Sequence, residues 1–403
     1  MLDREDRFYS PSGGIYPGGP SIWHVIDWDQ RRLVSVEMDE EQESPDEAFR
    51  CLLKHIDTLP PDVYLIHLSP EGDVISTSND PKDDQTICVF RLPIDTAELP
   101  DGIQTISRAE LEEIGRLGPN VDLVVYPKST KPNEKFVFKY CFLFQHISVN
   151  WHEMCLWSRL KHPNIVPFDI VVDELEGGLV GFTTQYISGG TLEENKTRIF
   201  KLKWLNQLLQ VVDELNLHLG IAHQEIAPRN LLIDESTDTL MLFDFNFSGR
   251  IGKPGYSEPR NDVKGAVFTI HEDQDLSAIE NMAWIKHPDV LLDHPVSTFR
   301  KVLDEWCERR RKGDEVTMDT RPSSFLDWPP LPDPPLTEVI MDRGPGLEPL
   351  KEMEKRYDWR RPELLQEGKT VLNWQRPPQR WPEKQQAGEV LRNGEAKSIH
   401  EKA

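Results

Sequence analysis

Three oxygen-bearing residues fall close together past the middle of the chain: Glu225, Asn230 five residues on, and Asp244 fourteen further. The first two lie in His223-Gln-Glu-Ile-Ala-Pro-Arg-Asn-Leu-Leu-Ile-Asp234, and the third in Leu242-Phe-Asp-Phe-Asn-Phe247. A polar turn, a short apolar run, a second turn and a second apolar run read as a tight hairpin. Such a hairpin delivers two carboxylates and an amide to one spot. Mg²⁺ suits that set, because it prefers a few oxygen ligands plus phosphate oxygens to a full protein cage. The chemistry in prospect is the handling of a phosphate chain.

These residues resemble the protein kinase catalytic loop, His-Arg-Asp followed by an Asn, and the later Asp-Phe-Gly. His223, Asn230, Asp244 and Phe245 match; Gln224, Glu225 and Asn246 stand where that family has Arg, Asp and Gly. The wording is most similar to kinase-like proteins of filamentous fungi. Lys139, in Val-Phe-Lys-Tyr, resembles the kinase strand lysine, Glu153 resembles the helix glutamate that holds it, and His162-Pro-Asn-Ile-Val166 resembles the segment closing that helix. Thr183-Thr-Gln-Tyr-Ile187 with Ser-Gly-Gly resembles the hinge, where backbone groups at Gln185 and Tyr186 meet an adenine. The resemblance spans about residues 118 to 312. It implies an α+β, bilobal protein-kinase-like fold that binds ATP and Mg²⁺. In that reading Lys139 holds the phosphates, Asn230 and Asp244 hold the metal, and Glu225 accepts the proton of the attacking hydroxyl. Arg229, as in the tyrosine-kinase version of the loop, does the work of the usual lysine.

The departures have physical consequences. Glu225 keeps the carboxylate but adds a methylene, and a misplacement of about 1 Å costs roughly a hundredfold in rate. Gln224 removes the arginine that would pair with a phosphorylated activation loop. Asn246 tolerates a left-handed backbone. No Gly-x-Gly-x-x-Gly precedes Lys139; Gly118 is the nearest candidate to cover the phosphates. The turn Pro127–Lys135, with Lys128, Lys131 and Lys135, is a second way to cover them. A third arrangement makes Ile87–Leu92 the first strand. Only seventeen residues separate Asp244 from Asp262, which resembles the aspartate opening the central helix of the large lobe. That is short for a peptide-docking platform, which points to a small-molecule acceptor or a site without turnover, with a protein hydroxyl as the alternative. A phosphotransferase, a pseudokinase scaffold and a small-molecule kinase of the aminoglycoside-phosphotransferase type all fit.

The positioning elements are read from periodicity and punctuation. Residues 1–20, with two Gly/Pro clusters, read as loose. An accessory α+β region over 21–106 shows strand runs at Ile22–Trp28, Leu33–Met38, Val63–Leu68, Val74–Thr77 and Ile87–Leu92, a helix over Pro45–Leu59, and a turn at Glu71-Gly72. The small lobe, 107–182, begins with a helix from Ser107 to about Leu117, because Ser107 and Glu110 have the spacing of a capping box. Strands come next at Val121–Tyr126 and Phe136–Phe144, then a helix carrying Glu153, Met154, Trp157 and Leu160. The large lobe, 183–312, has helices over Lys203–Leu219 and Val296–Lys312. A Pro/Trp-rich tail, 313–403, is read as anchored on the folded body over 325–382, with disorder beyond.

The 403-residue chain carries a formal charge of −23. Such a surface repels phosphate backbones and anionic lipid, so neither nucleic acid nor membrane is an expected partner. The acidic stretch Glu37–Glu47 reads as a solvated loop or as a docking place for a basic partner, and the tail as anchored on the body or as a ligand for a partner's groove. Five scattered cysteines without a Cys-x-x-Cys pair fit a reducing intracellular compartment, cytoplasmic or nuclear. The basic run Arg309–Lys312 reads as a helix end or a nuclear address. No apolar leader or membrane-spanning run is present.

Overall fold

The computed structural model describes residues 2–128, 132–174, 177–195, 197–268, 290–311, 325–341, 350–373 and 375–377. Strands and helices are mixed, an α+β chain, and it divides into two compact units. One comprises residues 1–88, 116–119 and 358–403; the other comprises 89–115 and 120–357. No described helix is long and apolar enough to cross a membrane.

In the first unit, β1 (Phe8–Ile15), β2 (Ser21–Asp27), β3 (Arg32–Met38), β4 (Leu65–Leu68) and β5 (Val74–Ser78) form one sheet in that order. Residues 1–20 are therefore not wholly loose, since β1 pairs with β2 along its length. Pro11 is tolerated because β1 is an edge strand whose register slips between Tyr9 and Ser12. Helix α1 (Asp46–His55) buries Ala48, Cys51 and Leu52 against Val34, Val36, Ile66 and Leu68. Its 3.6-residue apolar stripe dictates this packing. Gly72, at φ +84°, turns the chain between β4 and β5. Between β2 and β3 a buried charge network replaces apolar packing: Arg7 bonds Asp27 and Asp57, Arg116 bonds Asp29, and the Arg376 N–H donates to the Gln30 carbonyl. β6 (Ile87–Val89) pairs with Asp358–Arg360, so Ile87–Leu92 is not the first strand of the sheet that carries Lys139.

In the second unit a six-stranded sheet runs in the order β7-β11-β12-β10-β9-β8. Its strands are β7 (Gln104–Ser107), β8 (Glu112–Gly118), β9 (Val121–Val125), β10 (Lys135–Tyr140), β11 (Phe168–Glu174) and β12 (Gly178–Gln185). The helix expected from Ser107 to Leu117 is absent. Ser107 caps only the short 3₁₀ turn Arg108–Glu110, and the chain then enters β8. Gly115 would cost a helix about 1 kcal/mol, and pairing with β9 gives the same backbone a partner. Helix α2 (Ile147–Trp157) buries Met154 and Trp157 as its periodicity requires.

Over residues 199–268 and 290–311, helices alternate with short strands. β13 (Ile199–Phe200) leads into α3 (Leu202–Asp213), which widens to a π-turn over Glu214–His218 in place of the regular helix expected to Leu219. Short pairs come next: β14 (Ile221–Ala222) with β17 (Gly249–Arg250), and β15 (Leu231–Asp234) with β16 (Thr239–Leu242). Then come α4 (Asp262–Phe268) and α5 (Val296–Arg311). One apolar cluster runs from Trp151 and Met154 through Val171 and Leu205 to Phe299 and Trp306. The expected disorder after 382, Trp374, Trp381 and Lys312 lie outside the described residues.

Candidate active site

The β15–β16 hairpin and the turns on either side of it position the polar groups. Antiparallel pairing of Leu231–Asp234 with Thr239–Leu242 brings Asn230, at its start, beside Phe243, at its end. The Phe243 N–H donates to the Asn230 carbonyl at 3.3 Å, and His223 Nε2 meets the Phe243 carbonyl at 3.0 Å. Asp262 Oδ1 and Oδ2 accept the backbone N–H groups of Gln224 and His223, each at 2.7 Å. Asp262, the first residue of α4, thus holds the turn at His223 and Gln224. The left-handed residues are Gln224, at φ +65°, and Asp244, at φ +68°, and not Asn246. Such conformations in non-glycine residues cluster at functional sites and persist only when the surroundings fix them.

At Asp244 the turn aims a carboxylate at Lys139. Lys139 Nζ donates to Asp244 Oδ1 at 2.5 Å and to Glu153 Oε1 at 2.6 Å. β10 holds the lysine between Val121 of β9 and Phe182 of β12, and α2 holds the glutamate. The Phe245 N–H also donates to Glu153 Oε1, at 3.1 Å. The Phe245 ring is fully buried against Trp157 and His223, which locks the turn.

Two carboxylates face one ammonium here in a largely dry spot, so they compete for its charge. Burial pulls the Lys139 pKa down, but Glu153 and Asp244 outweigh it and the ammonium titrates above its usual range. Burial pushes Glu153 up to about 7, against the pull of Lys139. Burial also pushes Asp244 up, but there the Lys139 charge prevails and the carboxyl ends below its ordinary value. Burial lowers His223, despite the nearby carboxylates.

Of the residues singled out from the sequence, Lys139, Glu153 and Asp244 form this cluster. Glu225, Arg229 and Asn230 form a second: Arg229 Nη2 lies 2.9 Å from Glu225 Oε1, and Asn230 Nδ2 lies 3.3 Å from Oε2. Gln185 ends β12 and Tyr186 follows it, and their N–H groups are taken by the carbonyls of Pro167 and Lys135 at 3.0 and 3.2 Å. These amides are therefore not donors for an adenine. Gly118 closes β8, three residues before β9 begins. Residues 129–131, including Lys131 of the alternative lid, lie outside the described residues.

Three contributors escaped the sequence reading. Gln224 looked like the loss of an arginine, yet its side chain donates to the carbonyls of Phe247 and Gly255 at 2.6 and 2.9 Å and accepts from the Ser257 N–H. The stretch after Asp244 is thereby fastened to the turn that carries Gln224. Arg260 reaches Glu225 at 3.5 Å, and only its place two residues before Asp262 hinted at this. Gly115 and Asn120 mark a β8–β9 hairpin ahead of Lys139, a signal hidden by the helix assignment. Among the described residues no group of three or more His, Cys, Asp or Glu side chains forms a metal cage.

Sequences similar to this chain are protein kinases. CBL-interacting serine/threonine-protein kinase 16 of Arabidopsis thaliana is 30% identical over 123 residues, 29% of this chain and 25% of its own length. Probable serine/threonine-protein kinase MARK-C of Dictyostelium discoideum is 31% identical over 116 residues, 26% of this chain and 14% of its own. Dual specificity testis-specific protein kinase 2 of Mus musculus is 29% identical over 150 residues, 36% of this chain and 23% of its own. The chain thus spans a quarter or less of the length of these relatives. No protein-family model matches it. Over part of its length, the α+β chain is related to the protein kinase superfamily.

Proposed function

We propose that this protein is an ATP-dependent phosphotransferase with a bilobal, protein-kinase-like architecture, passing the γ-phosphate to a hydroxyl acceptor. The reading assigns residues 107–182 to the small lobe and 183–312 to the large one, with the region before 107 accessory and that after 312 a tail. The observation that carries it is the Lys139 ammonium bonded at once to Glu153 and Asp244, each from a different element.

In this reading Lys139 neutralises phosphate oxygens, and Glu153 keeps its Nζ from swinging away. Glu225 takes the proton of the attacking hydroxyl, and the hinge stretch around Gln185 and Tyr186 flanks the adenine. A divalent cation, Mg²⁺, would neutralise charge on the phosphate chain, with Asn230 and Asp244 to hold it. The residues fit such an ion: the donors are hard oxygens, Glu153 and Asp244 share a single ammonium, and Asn246 Oδ1 is buried without a hydrogen-bond partner. Transfer then rests on positioning and charge neutralisation, with no covalent intermediate on the protein.

The test is thermal unfolding of the full chain with and without Mg·ATP. Ligand at a hundred times its Kd adds about 2.7 kcal/mol, which raises the melting temperature by several degrees. Asp244→Ala should lose that rise while keeping its fold. A wild-type chain whose melting Mg·ATP does not move would refute the proposal. Transfer of labelled phosphate, with Glu225→Gln as control, then separates enzyme from pseudokinase. The pseudokinase reading draws on one feature, the engagement of Glu225 by both Arg229 and Arg260. Nucleotide binding with no label on any acceptor would establish it.

A further inference from the structure

The carboxylate assigned the proton-accepting role carries more positive charge than it can balance. Glu225 Oε1 lies 2.9 Å from Arg229 Nη2 and 3.5 Å from Arg260 Nη2, while Asn230 Nδ2 takes Oε2. Two guanidiniums on one carboxylate leave one cation in excess. Among the described residues neither neighbouring acid is paired with either arginine: Glu258 is engaged by the Tyr256 hydroxyl, Asn261 Nδ2 and Lys264, and Asp262 is buried with its oxygens turned to backbone N–H groups. Both arginines are open to solvent, with 54% and 42% of their side chains exposed. Arg260 also lies 4.3 Å over the ring of Phe247, itself 44% exposed. A cationic mouth of this kind is not a by-product of composition, since the chain as a whole carries −23.

We infer that the acceptor is acidic, a hydroxyl compound with a carboxylate or phosphate beside its hydroxyl, and that Arg229 and Arg260 grip that anion. The inference rests on the phosphotransfer reading and names its substrate class. Guanidinium forks match carboxylate and phosphate oxygens in pairs. An acceptor anion draws both arginines off Oε1 and frees Glu225 to act. The acceptor O–H then gives its proton to the Glu225 carboxylate as its oxygen bonds the γ-phosphorus of ATP. The bond from that phosphorus to the β-bridging oxygen breaks, and its electron pair leaves with ADP. An acceptor without the anion meets a base still tied to two cations. Phe247 supplies a flat apolar flank for whatever carries the hydroxyl.

The test offers the full chain Mg²⁺ and γ-labelled ATP with two acceptor sets. One holds Ser, Thr and Tyr peptides flanked by Asp/Glu, by Ala, or by Lys/Arg; the other holds small hydroxy acids, sugar phosphates and their uncharged alcohols. Label on acidic members at least tenfold above neutral ones is the expected result, and the set that takes it tells a peptide from a small acid. Arg260→Glu should abolish or reverse that preference, with its Mg·ATP melting shift intact as the control for folding. Arg260→Lys should keep part of it. Label spread evenly over acidic, neutral and basic acceptors would overturn the inference and leave the phosphotransferase standing. No Mg·ATP shift in the wild-type chain would overturn both.

Discussion

Replacing Trp328 by alanine should loosen the candidate site without touching any residue in it. Trp328 is 7% exposed. Its Nε1 donates to His152 Nδ1 at 3.0 Å, the Arg250 guanidinium sits 3.8 Å from its ring, and Arg250 Nη2 donates to its carbonyl at 3.0 Å. Trp151 Nε1 donates to the next carbonyl, that of Pro329, at 3.2 Å. His152 immediately precedes Glu153, and Arg250 lies six residues past Asp244. One tail residue thus fastens α2 to the strand just beyond Asp244. A buried tryptophan removes about 200 Å² from water, which at about 25 cal/mol per Å² gives an upper value of roughly 5 kcal/mol. Trp→Ala changes in cores cost about 3–5 kcal/mol. Part of that is recovered here, because a tail segment that undocks regains backbone freedom. The expected loss is about 3 kcal/mol, or a fall of roughly 6–12 °C in melting temperature for a domain of this size. Trp328→Phe keeps a ring under Arg250 and drops the hydrogen bond to His152, so its cost should be about 1 kcal/mol. Urea and thermal unfolding monitored by far-ultraviolet circular dichroism check both. An alanine variant that unfolds with the wild type would refute the docking energetics. So would a phenylalanine variant as weak as the alanine one, which would place the energy in the indole N–H alone.

The pH dependence of stability should carry a signature of Glu153. Its folded pKa of about 7 lies above the unfolded carboxyl value, so stability present below about pH 4.5 is lost as pH rises towards 7; Glu153→Gln should flatten that part of the curve in urea midpoints taken at pH 5 and pH 8. Asp244 runs the other way, losing its contribution below its ordinary range, and does not overlap that window. Gln224→Ala leaves the Phe247 and Gly255 carbonyls without their donor, so a cost of about 1–3 kcal/mol is expected, with faster amide exchange over residues 247–257 as the local readout. Gly181→Ala puts a Cβ 2.1 Å from the Lys139 carbonyl oxygen, where β10 and β12 have no room to part; it should lower stability by about 3 kcal/mol or more. Gly115→Ala meets only Leu123, its Cβ at 3.7 Å, and should stay within about 0.5 kcal/mol of the wild type by the same melt.

Legibility in the sequence tracked the range of the interactions involved. Helix α1 was readable because Phe49, Leu52, Leu53 and Ile56 recur at helical spacing, and that periodicity is itself the cause of the packing. The Lys139, Glu153 and Asp244 trio was singled out by resemblance, since nothing local tells a strand lysine that a carboxylate 105 residues away will meet it. Where a local rule was trusted alone, it misled. Ser107 does cap, at Ala109, but residues 112–118 pair across to β9 because Gly115 and Gly118 make a poor helix. Gln224 shows the same limit in a chemical form. Counted as a residue type it is a missing cation; placed beside Phe247, Gly255 and Ser257 it is two donors and an acceptor meeting three backbone groups. An arginine has no acceptor to offer the Ser257 N–H. The substitution therefore exchanges a contact that waits for a phosphate for one that needs none, and a segment held this way is ordered from the moment the chain folds. The Trp328 contact is of the same long-range kind: it joins α2 to β17 through a segment far off in sequence, and no local pattern announces it.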